Sequence, residues 1–419
     1  MRVLFIASSA YVPDDGRKTV TGYDYIVSEI AQKLSEKCDV DLYLLRPYPR
    51  SLKVGNVSII GHSNKDLLKY LQIRNLFAYC KIALKGKNGI KSRLRNITYY
   101  LTMRDIEHLI KKNNYDIVHI HGVTFMCLVA SLASAECKVP FLFTMHGLIS
   151  YGIPNIAKID QESEQAVLNM VRDNDFVITT VSTGTKMVPC KEKGIDLSKV
   201  VVVNNAVKID KQADAISWED KYPKIKDKYL IISVGSVSLR KNQIQLLRAF
   251  TLLPEDVKTK TMIFLAGQDL TNGVVADYVE KNQLQDNVVI CGFLSKRELA
   301  GLYKVANYNA LLSISEGFGL SMIEAAKYGI PTLTFADIDA IKDLPTTETM
   351  LLLNERTDEA VAKGLIKMFS TEWNKETIIK SVERFNENIY FQYLDVYNQI
   401  IKNKTNLVKP KVVLEALGL

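Results

Sequence analysis

The stretch from Glu316 to Glu324 combines residue types that could bind a diphosphate together with sugar hydroxyls. Apolar residues before it predict a buried strand over Ala310–Ile314, and a helix is expected just after the glycines. Between strand and helix, Gly317 and Gly319 allow the backbone to approach a ligand closely. The N–H groups at the start of a helix carry partial positive charge, which favours an anion such as a diphosphate.

Two glutamates flank this glycine turn, where their carboxylates could accept hydrogen bonds from a ligand. Glu316 lies in the turn, and Glu324 falls on the second turn of the predicted helix, beside the same site. The structural alternative is a plain glycine turn whose two glutamates form surface ion pairs. The Gly-aromatic-Gly order after an apolar strand favours a ligand site, with the glutamates facing sugar or ribose hydroxyls.

The elements that would position this turn follow from an alternation of short apolar runs and amphipathic stretches along most of the chain. Such alternation predicts βαβ units, in which parallel strands form a sheet with helices on both faces. A polar segment divides the alternation into two series, so two Rossmann-like α/β domains facing a central cleft are expected. The predicted domains cover 1–208 and 229–385, with a linker at 209–228 and a C-terminal helix at 386–419 that packs back on the first domain.

The amino-acid composition restricts the classes of protein to which this chain could belong. A chain of 419 residues with 47% apolar and 24% charged residues suits two globular domains. Its six cysteines are scattered without a Cys-x-x-Cys pair, which excludes the common zinc and dithiol motifs and suits a reducing compartment. Neither a signal peptide nor an apolar run long enough to span a membrane is found, so a soluble cytoplasmic protein is expected.

The net charge of +8 is unevenly distributed, because basic residues interleaved with aromatic ones concentrate between Asp66 and Arg104. Such a segment can lie on an anionic bilayer, which predicts contact with the inner face of the cell membrane. The alternative is a solvated helical face that covers part of the core. Nucleic-acid binding is not expected, because no nucleic-acid-binding motif accompanies the charge.

The order Glu316-Gly-Phe-Gly-Leu-Ser-Met-Ile-Glu324 resembles the Glu-x7-Glu signature of the retaining glycosyltransferases of family 4, the glycosyl transferases group 1, which have the GT-B fold. The similarity continues at 116–121, 143–147, 234–243 and 288–293. The resemblance implies a hexosyltransferase (EC 2.4) that uses a nucleoside diphosphate sugar. It also implies that the first domain binds the acceptor and the second the nucleotide sugar.

The resemblance also assigns roles to individual residues. Glu324 would hold the ribose hydroxyls, Glu316 would contact the transferred sugar, and Lys241 would neutralise the diphosphate. His146, at the end of a strand, would lie near the sugar, so the expected catalytic residues are His146, Lys241 and Glu316. The donor-binding residues implied by the resemblance are Gly22, Ser236, Arg240, Lys241, Phe293, Glu316, Gly317, Phe318, Gly319, Leu320, Ser321 and Glu324.

Two further histidines lie on a predicted strand, where His119 is expected in the core and His121 at the rim. The family usually has an arginine where this chain has Ser236, and Arg240 could replace its charge on the phosphates. No Asp-x-Asp motif lies in a plausible site loop and no ligand cluster has metal spacing. Lys241 and a helix N-terminus could bear the diphosphate charge, so we expect no metal cofactor.

The resulting prediction is an enzyme that transfers a sugar to a hydroxyl of an acceptor glycan, lipid-linked, in surface polysaccharide assembly. An alternative is a catalytically silent GT-B partner that binds acceptor or stabilises an active subunit. A Rossmann oxidoreductase would require Gly-x-Gly-x-x-Gly after the first strand, and the residues from Ser8 to Gly16 do not match that pattern. A sugar-nucleotide epimerase is the fourth, weaker hypothesis.

Overall fold

The computed structural model describes residues 1–13, 20–48, 51–71, 80, 82–83, 89–150, 156–209 and 216–419. The chain divides into two compact units. The first comprises Met1–Tyr151, Asn155–Ala206 and Glu387–Leu419, and the second is formed by Val207–Asn386.

The first unit contains an eight-stranded sheet in the order β3-β4-β2-β1-β5-β6-β7-β8. Neighbouring strands are parallel except β3 and β4, which pair antiparallel. Strands β2 to β4 lie on one side of β1 and strands β5 to β8 lie on the other, so the order of strands reverses between β1 and β5. The strands are β1 (Arg2–Ala7), β2 (Asp39–Leu44), β3 (Leu52–Val54), β4 (Val57–Ile60), β5 (Ile117–His121), β6 (Phe141–Met145), β7 (Ile178–Thr180) and β8 (Val200–Val202).

Helices connect these strands, and local sequence fixes where several of them begin. Thr21 and Asp24 form a capping box at the start of the first helix, so that two otherwise unpaired N–H groups are satisfied. The helices are α1 (Gly22–Leu34), α2 (Asn64–Leu67), α3 (Ile90–Asn113), α4 (Phe125–Cys137), α5 (Lys158–Asp173) and α6 (Thr183–Lys193), with 3₁₀ turns at Leu68–Tyr70 and Leu197–Lys199.

The second unit contains a six-stranded parallel sheet in the order β11-β10-β9-β12-β13-β14. Its strands are β9 (Tyr229–Val234), β10 (Thr261–Ala266), β11 (Val288–Gly292), β12 (Tyr308–Leu311), β13 (Thr332–Phe335) and β14 (Met350–Leu353). Its helices are α7 (Trp218–Lys221), α8 (Gln243–Thr251), α9 (Glu255–Thr259), α10 (Val274–Lys281), α11 (Lys296–Val305), α12 (Leu320–Lys327), α13 (Thr346–Thr349), α14 (Asp358–Ser370) and α15 (Lys375–Ser381), with 3₁₀ turns at Pro223–Ile225 and Asp339–Asp343.

The structure differs from the sequence prediction in the segment 209–228, which was expected to be a linker. Trp218 is 1% exposed and packs against Phe264, and its indole N–H donates to the Glu298 carbonyl at 2.8 Å. Ile225 is also buried in the same core. The described part of the segment therefore contributes apolar anchors to the second unit, and residues 210–215 lie outside the described residues.

The C-terminal segment belongs to the first unit. It contains a 3₁₀ turn at Glu387–Phe391 and the helices α16 (Gln392–Asn403) and α17 (Pro410–Ala416). Three tyrosines of this segment, Tyr390, Tyr393 and Tyr397, are fully buried. The Tyr397 hydroxyl lies 2.6 Å from His119 Nδ1, so this helix is bound to the centre of the sheet by a polar contact as well as by apolar packing.

Among the described helices, none combines the length and the apolar character that crossing a membrane requires.

Candidate active site

The predicted site residues of the second unit, apart from Phe293, follow β9 and β12, which are neighbours in the sheet. After β9 the chain continues to β10 and β11 on one side, and after β12 it continues to β13 and β14 on the other. The strand order therefore reverses between β9 and β12, and ligands of open α/β sheets bind at such a position. Lys241 follows β9 and Glu316 follows β12.

An ion pair joins these two residues. Lys241 Nζ donates to Glu316 Oε1 at 2.7 Å, and the Arg240 guanidinium lies 3.5 Å from Oε2. The Ser313 hydroxyl also donates to Oε1. The side chains of Lys241 and Glu316 are 13% and 6% exposed, so water screens their charges poorly. Burial acts to raise the pKa of Glu316, but Lys241, Arg240 and the two hydrogen bonds outweigh it, and the net pKa is lowered.

The strand that precedes Glu316 ends earlier than the sequence predicted. β12 stops at Leu311, and Ile314, which was expected to close a buried strand, is 45% exposed. The Ile314 N–H donates to the Arg240 carbonyl at 2.8 Å instead of to a neighbouring strand. This bond turns the chain toward the loop after β9 and places the Ser313 hydroxyl against the Glu316 carboxylate.

Two glycines shape the turn around Lys241. Gly267 has φ +154°, and a Cβ there would lie 2.1 Å from the Gly235 carbonyl oxygen. A Cβ on Gly235, whose φ is +134°, would lie 3.2 Å from the Lys241 Cε. Only glycine fits this close approach of two loops, so Gly267 allows the turn to lie against Gly235.

Glu324 has a partner that the sequence prediction missed. Tyr303, on α11, donates its hydroxyl to Glu324 Oε2 at 2.7 Å. Burial raises the pKa of Glu324, and the hydrogen bond from Tyr303 and the charges of Lys241 and Lys296 offset only part of that rise. This contact joins two helices and two residues that are 21 positions apart, so no local sequence pattern indicates it.

The start of α12 has the features expected of an anion site. Gly319 is its N-cap with φ +76°, and no side chain caps the first N–H groups of the helix. Ser321, on the first turn, is 6% exposed, and its hydroxyl has no hydrogen-bond partner among the described residues. Leu320 and Gly317 are half-buried beside it. Unpaired N–H groups and an unpaired hydroxyl at one helix end leave donors for an anionic ligand.

The remaining predicted residues of the second unit differ in exposure. Phe293 follows β11 and is 46% exposed, so its ring is available to a ligand. Phe318 is 3% exposed and packs edge-on against Phe385 at 5.7 Å, so its side chain belongs to the core, and it could serve a ligand only through its backbone. Ser236 is half-buried, and its carbonyl accepts from Gln243 at 3.2 Å.

His146 and Gly22 belong to the first unit. His146 Nε2 lies 3.0 Å from His121 Nδ1, and the Tyr23 ring meets the His146 ring edge-on at 5.1 Å. Burial lowers the pKa of His146 to about 4, so the imidazole is neutral at physiological pH. Gly22 is the exposed first residue of α1, and residues 14–19 before it lie outside the described residues.

The structure confirms the prediction for one of the two strand histidines and contradicts the other. His119 is 0% exposed, which confirms its predicted place in the core. The prediction for His121 is wrong, because this side chain is also 0% exposed and faces into the unit rather than lying at a rim. Side chains of adjacent residues on a strand point to opposite faces of the sheet. His119 and His121 are two positions apart on β5 and therefore share one face.

No group of three or more potential metal-binding side chains occurs within the part of the chain that the structure describes.

Two family models match the sequence: Glycosyltransferase Family 4 over residues 22–211 and Glycosyl transferases group 1 over residues 214–390. A relative from Methanocaldococcus jannaschii, an uncharacterized glycosyltransferase, is 22% identical over 349 residues, which span 80% of this chain and 87% of the relative. The UDP-Gal:alpha-D-GlcNAc-diphosphoundecaprenol alpha-1,3-galactosyltransferase of Escherichia coli is 24% identical over 57% of this chain and 63% of that enzyme.

Among solved structures, the sucrose-phosphate synthase of Thermosynechococcus elongatus superimposes with a TM-score of 0.73 at 17% identity, covering 96% of this chain and all of that one. This likeness identifies the fold, and the two family matches span most of the sequence. The chain therefore belongs to the GT-B glycosyltransferases of family 4 and group 1, and it is a glycosyltransferase.

Proposed function

We propose that this glycosyltransferase moves a hexose, with retention of anomeric configuration, from a nucleoside diphosphate sugar to a hydroxyl of an acceptor glycan. The observation that carries the proposal is the buried contact of Lys241 Nζ with Glu316 at 2.7 Å. It lies at the strand-order reversal, where open α/β sheets bind ligands. A fixed, poorly solvated cation at that position is suited to a leaving group that gains negative charge in the transition state.

The proposal assigns roles to five of the candidate side chains and to the start of α12. Lys241 and the uncapped start of α12 bind the diphosphate, which makes a divalent metal unnecessary. Glu316 accepts from hydroxyls of the transferred sugar, and Glu324 accepts from the ribose. Phe293 offers an exposed ring to the base. The neutral imidazole of His146 contacts the sugar, and its low pKa means that it can donate or accept without carrying charge.

The acceptor belongs to surface polysaccharide assembly and is lipid-linked in this proposal. The name of the Escherichia coli relative specifies an acceptor on diphosphoundecaprenol. A cytoplasmic enzyme acting on such an acceptor would contact the inner face of the membrane. On α3, Ile90 and Leu94 are 77% and 59% exposed one turn apart, which gives a basic region an apolar anchor.

Membrane contact has a direct test on the described residues, since Lys85 and Lys87 of the predicted basic segment lie outside them. Lys91→Glu should weaken cosedimentation with vesicles of phosphatidylglycerol and phosphatidylcholine. Lys112→Glu, at the other end of α3, should leave it nearly unchanged. Equal binding by the parent and Lys91→Glu would remove membrane contact from the proposal.

The transferase proposal is tested with a panel of nucleoside diphosphate sugars, by protection against thermal unfolding and by slow donor hydrolysis. At least one donor should protect the parent and be hydrolysed. Glu324→Ala should abolish protection, whereas Glu280→Ala, at an exposed position on α10, should keep it. A protein that binds no donor is not a transferase of this kind, and one that binds a donor without hydrolysis or transfer would be the silent partner subunit.

A further inference from the structure

The first unit contains a cavity of about 520 Å³, a volume within the range typical of small-molecule sites. It lies beyond the carboxyl ends of four neighbouring strands. Ser8 follows β1, Arg46 follows β2, His62 follows β4 and Thr124 follows β5. The strand order reverses between β1 and β5, so the cavity occupies the position where open α/β sheets bind ligands.

Two arginines give the cavity an anion-binding character. Arg46 and Arg95 line it, are exposed, and form no ion pair with any of the described side chains. Burial raises the pKa of the Tyr99 phenol, Arg95 and Arg46 act against the rise, and Asp160 adds to it. Both guanidinium groups therefore act on the same lining hydroxyl, and two convergent arginines suit a phosphate better than a neutral ligand.

A buried histidine in the wall provides an independent sign of a ligand. His62 is 3% exposed and stacks on Tyr43 at 5.3 Å, and neither ring nitrogen has a hydrogen-bond partner among the described residues. Buried polar groups in proteins are normally paired, so an imidazole in a cavity wall whose two nitrogens have no partner among the described residues has both nitrogens available to a ligand. Hydroxyl groups of a sugar can both donate to and accept from such a ring.

The rest of the wall fits a sugar rather than a bare anion. Asp160 is held in place because its Oδ1 accepts from the Phe125 N–H at 2.9 Å, and a carboxylate so placed accepts from hydroxyls but repels phosphate. The rings of Tyr99 and Phe125 lie 6.3 Å apart and give the cavity an aromatic surface. Cations, a carboxylate, an imidazole and aromatic rings together match a ligand that has both a phosphate and a sugar.

We propose that this cavity is the acceptor site and that it selects an acceptor whose sugar carries a phosphate or diphosphate. Arg46 and Arg95 bind the phosphate, and His62 and Asp160 bind sugar hydroxyls. The proposal rests on the proposed transferase function and adds the chemical class of its acceptor. The phosphate can belong to a soluble sugar phosphate or to a lipid diphosphate, since either presents the same group to the arginines.

The test measures calorimetric binding of four kinds of probe to the full chain. These are hexose and N-acetylhexosamine 1-phosphates, the matching methyl glycosides, inorganic phosphate, and farnesyl diphosphate-linked N-acetylglucosamine in detergent. A phosphorylated sugar should bind at least about tenfold more tightly than its methyl glycoside. Inorganic phosphate should compete with the sugar phosphate. Tighter binding of the farnesyl compound would assign the lipid-linked source, and equal binding would assign the soluble one.

Arg46→Gln and Arg95→Gln should each weaken binding of the phosphorylated probe by about tenfold or more, the effect of losing a charge-assisted hydrogen bond. Lys112→Gln removes one positive charge from the same unit, outside the cavity, and should change binding less than about twofold. His62→Phe keeps the stacking on Tyr43, so it should raise the Tm of the free protein and weaken sugar binding.

Equal affinity for phosphorylated and neutral sugars would overturn the proposal, as would the absence of binding by every phosphorylated probe. Arginine variants that behave like Lys112→Gln would also overturn it. Protection by nucleoside diphosphates is measured in parallel on all variants. If it persists while the acceptor tests fail, the acceptor inference fails alone. If it is absent from the parent as well, the transferase proposal fails.

Discussion

Acidification from pH 7.5 to pH 5.5 should destabilise the first unit by about 4 kcal/mol through three buried histidines, His119, His121 and His146. Burial, followed for His119 and His121 by the neighbouring histidines, holds their pKa values below the usual 6.5, to about 4 for His146. Below pH 6.5 the unfolded chain binds protons that the folded chain does not, so stability falls as pH falls. At pH 5.5 each histidine contributes about 1.4 kcal/mol of this loss.

The loss begins near pH 6.5 and continues toward the lowered folded-state pKa values, and it is nearly absent above pH 7.5. Both tryptophans of the chain, Trp218 and Trp373, lie in the second unit, so fluorescence would follow the other unit. The suitable measurement is amide hydrogen exchange of peptides from β5 and β6, corrected for the pH dependence of intrinsic exchange.

A variant isolates the effect of one histidine. His119→Gln removes the bonds to Tyr397 and Thr144, so it should be less stable than the parent at pH 7.5. The difference should shrink by about 1.4 kcal/mol at pH 5.5, because the variant lacks the group that the unfolded chain protonates. His108→Gln, at an exposed position on α3, should keep the slope of the parent. A difference between parent and His119→Gln that stays constant with pH would refute the reasoning.

Three further predictions concern the second unit. Lys241→Gln should lower the rate of donor turnover about 10²- to 10³-fold, whereas Lys281→Gln, on an exposed helix face, should leave it unchanged in the same assay. Tyr303→Phe should raise the pKa of its carboxylate partner and so weaken donor binding, measured as a KM that rises more steeply toward low pH than in the parent. Gly267→Ala should destabilise the unit by at least about 3 kcal/mol in urea unfolding followed by tryptophan fluorescence, against about 1 kcal/mol for Gly273→Ala, which meets no atom within 4 Å.

The parts of the fold that sequence predicted best are those with local periodicity. The alternation of strands and helices predicted for the two series is present in both units, and the helix expected after the glycine turn matches α12. The end of β12 was misplaced because Ser313 and Ile314 look like strand residues. They leave the sheet because of a backbone bond to Arg240, a residue far away in sequence. Local pattern carries no information about such a bond.

The same limit explains the residues that were missed. Tyr303 and Glu324 each fit an ordinary helix pattern, and only their contact identifies the pair. Trp218 stood in a segment whose charge suggested a linker, and its burial depends on Phe264, on a strand more than 40 residues away. The motifs that could carry chemistry were recognisable because their residues are close together in the sequence. Most of the contacts that hold those motifs in place join residues that are far apart in the sequence, so they could not be predicted.

The two oxygens of the Glu316 carboxylate have different contacts, and this difference determines which of them could bind a substrate hydroxyl. Oε1 already accepts from Lys241 and Ser313, whereas Arg240 lies 3.5 Å from Oε2, longer than a good hydrogen bond. Oε2 is therefore the oxygen that retains capacity for a substrate hydroxyl. Arg240 is fixed by its bond to the Ser315 carbonyl at 2.9 Å, so its charge stays beside Glu316 although the residue after Gly235 is a serine. Since these contacts hold both cations beside Glu316, charge growing on a leaving diphosphate would meet fixed cations, and this is the condition under which electrostatic stabilisation is strongest.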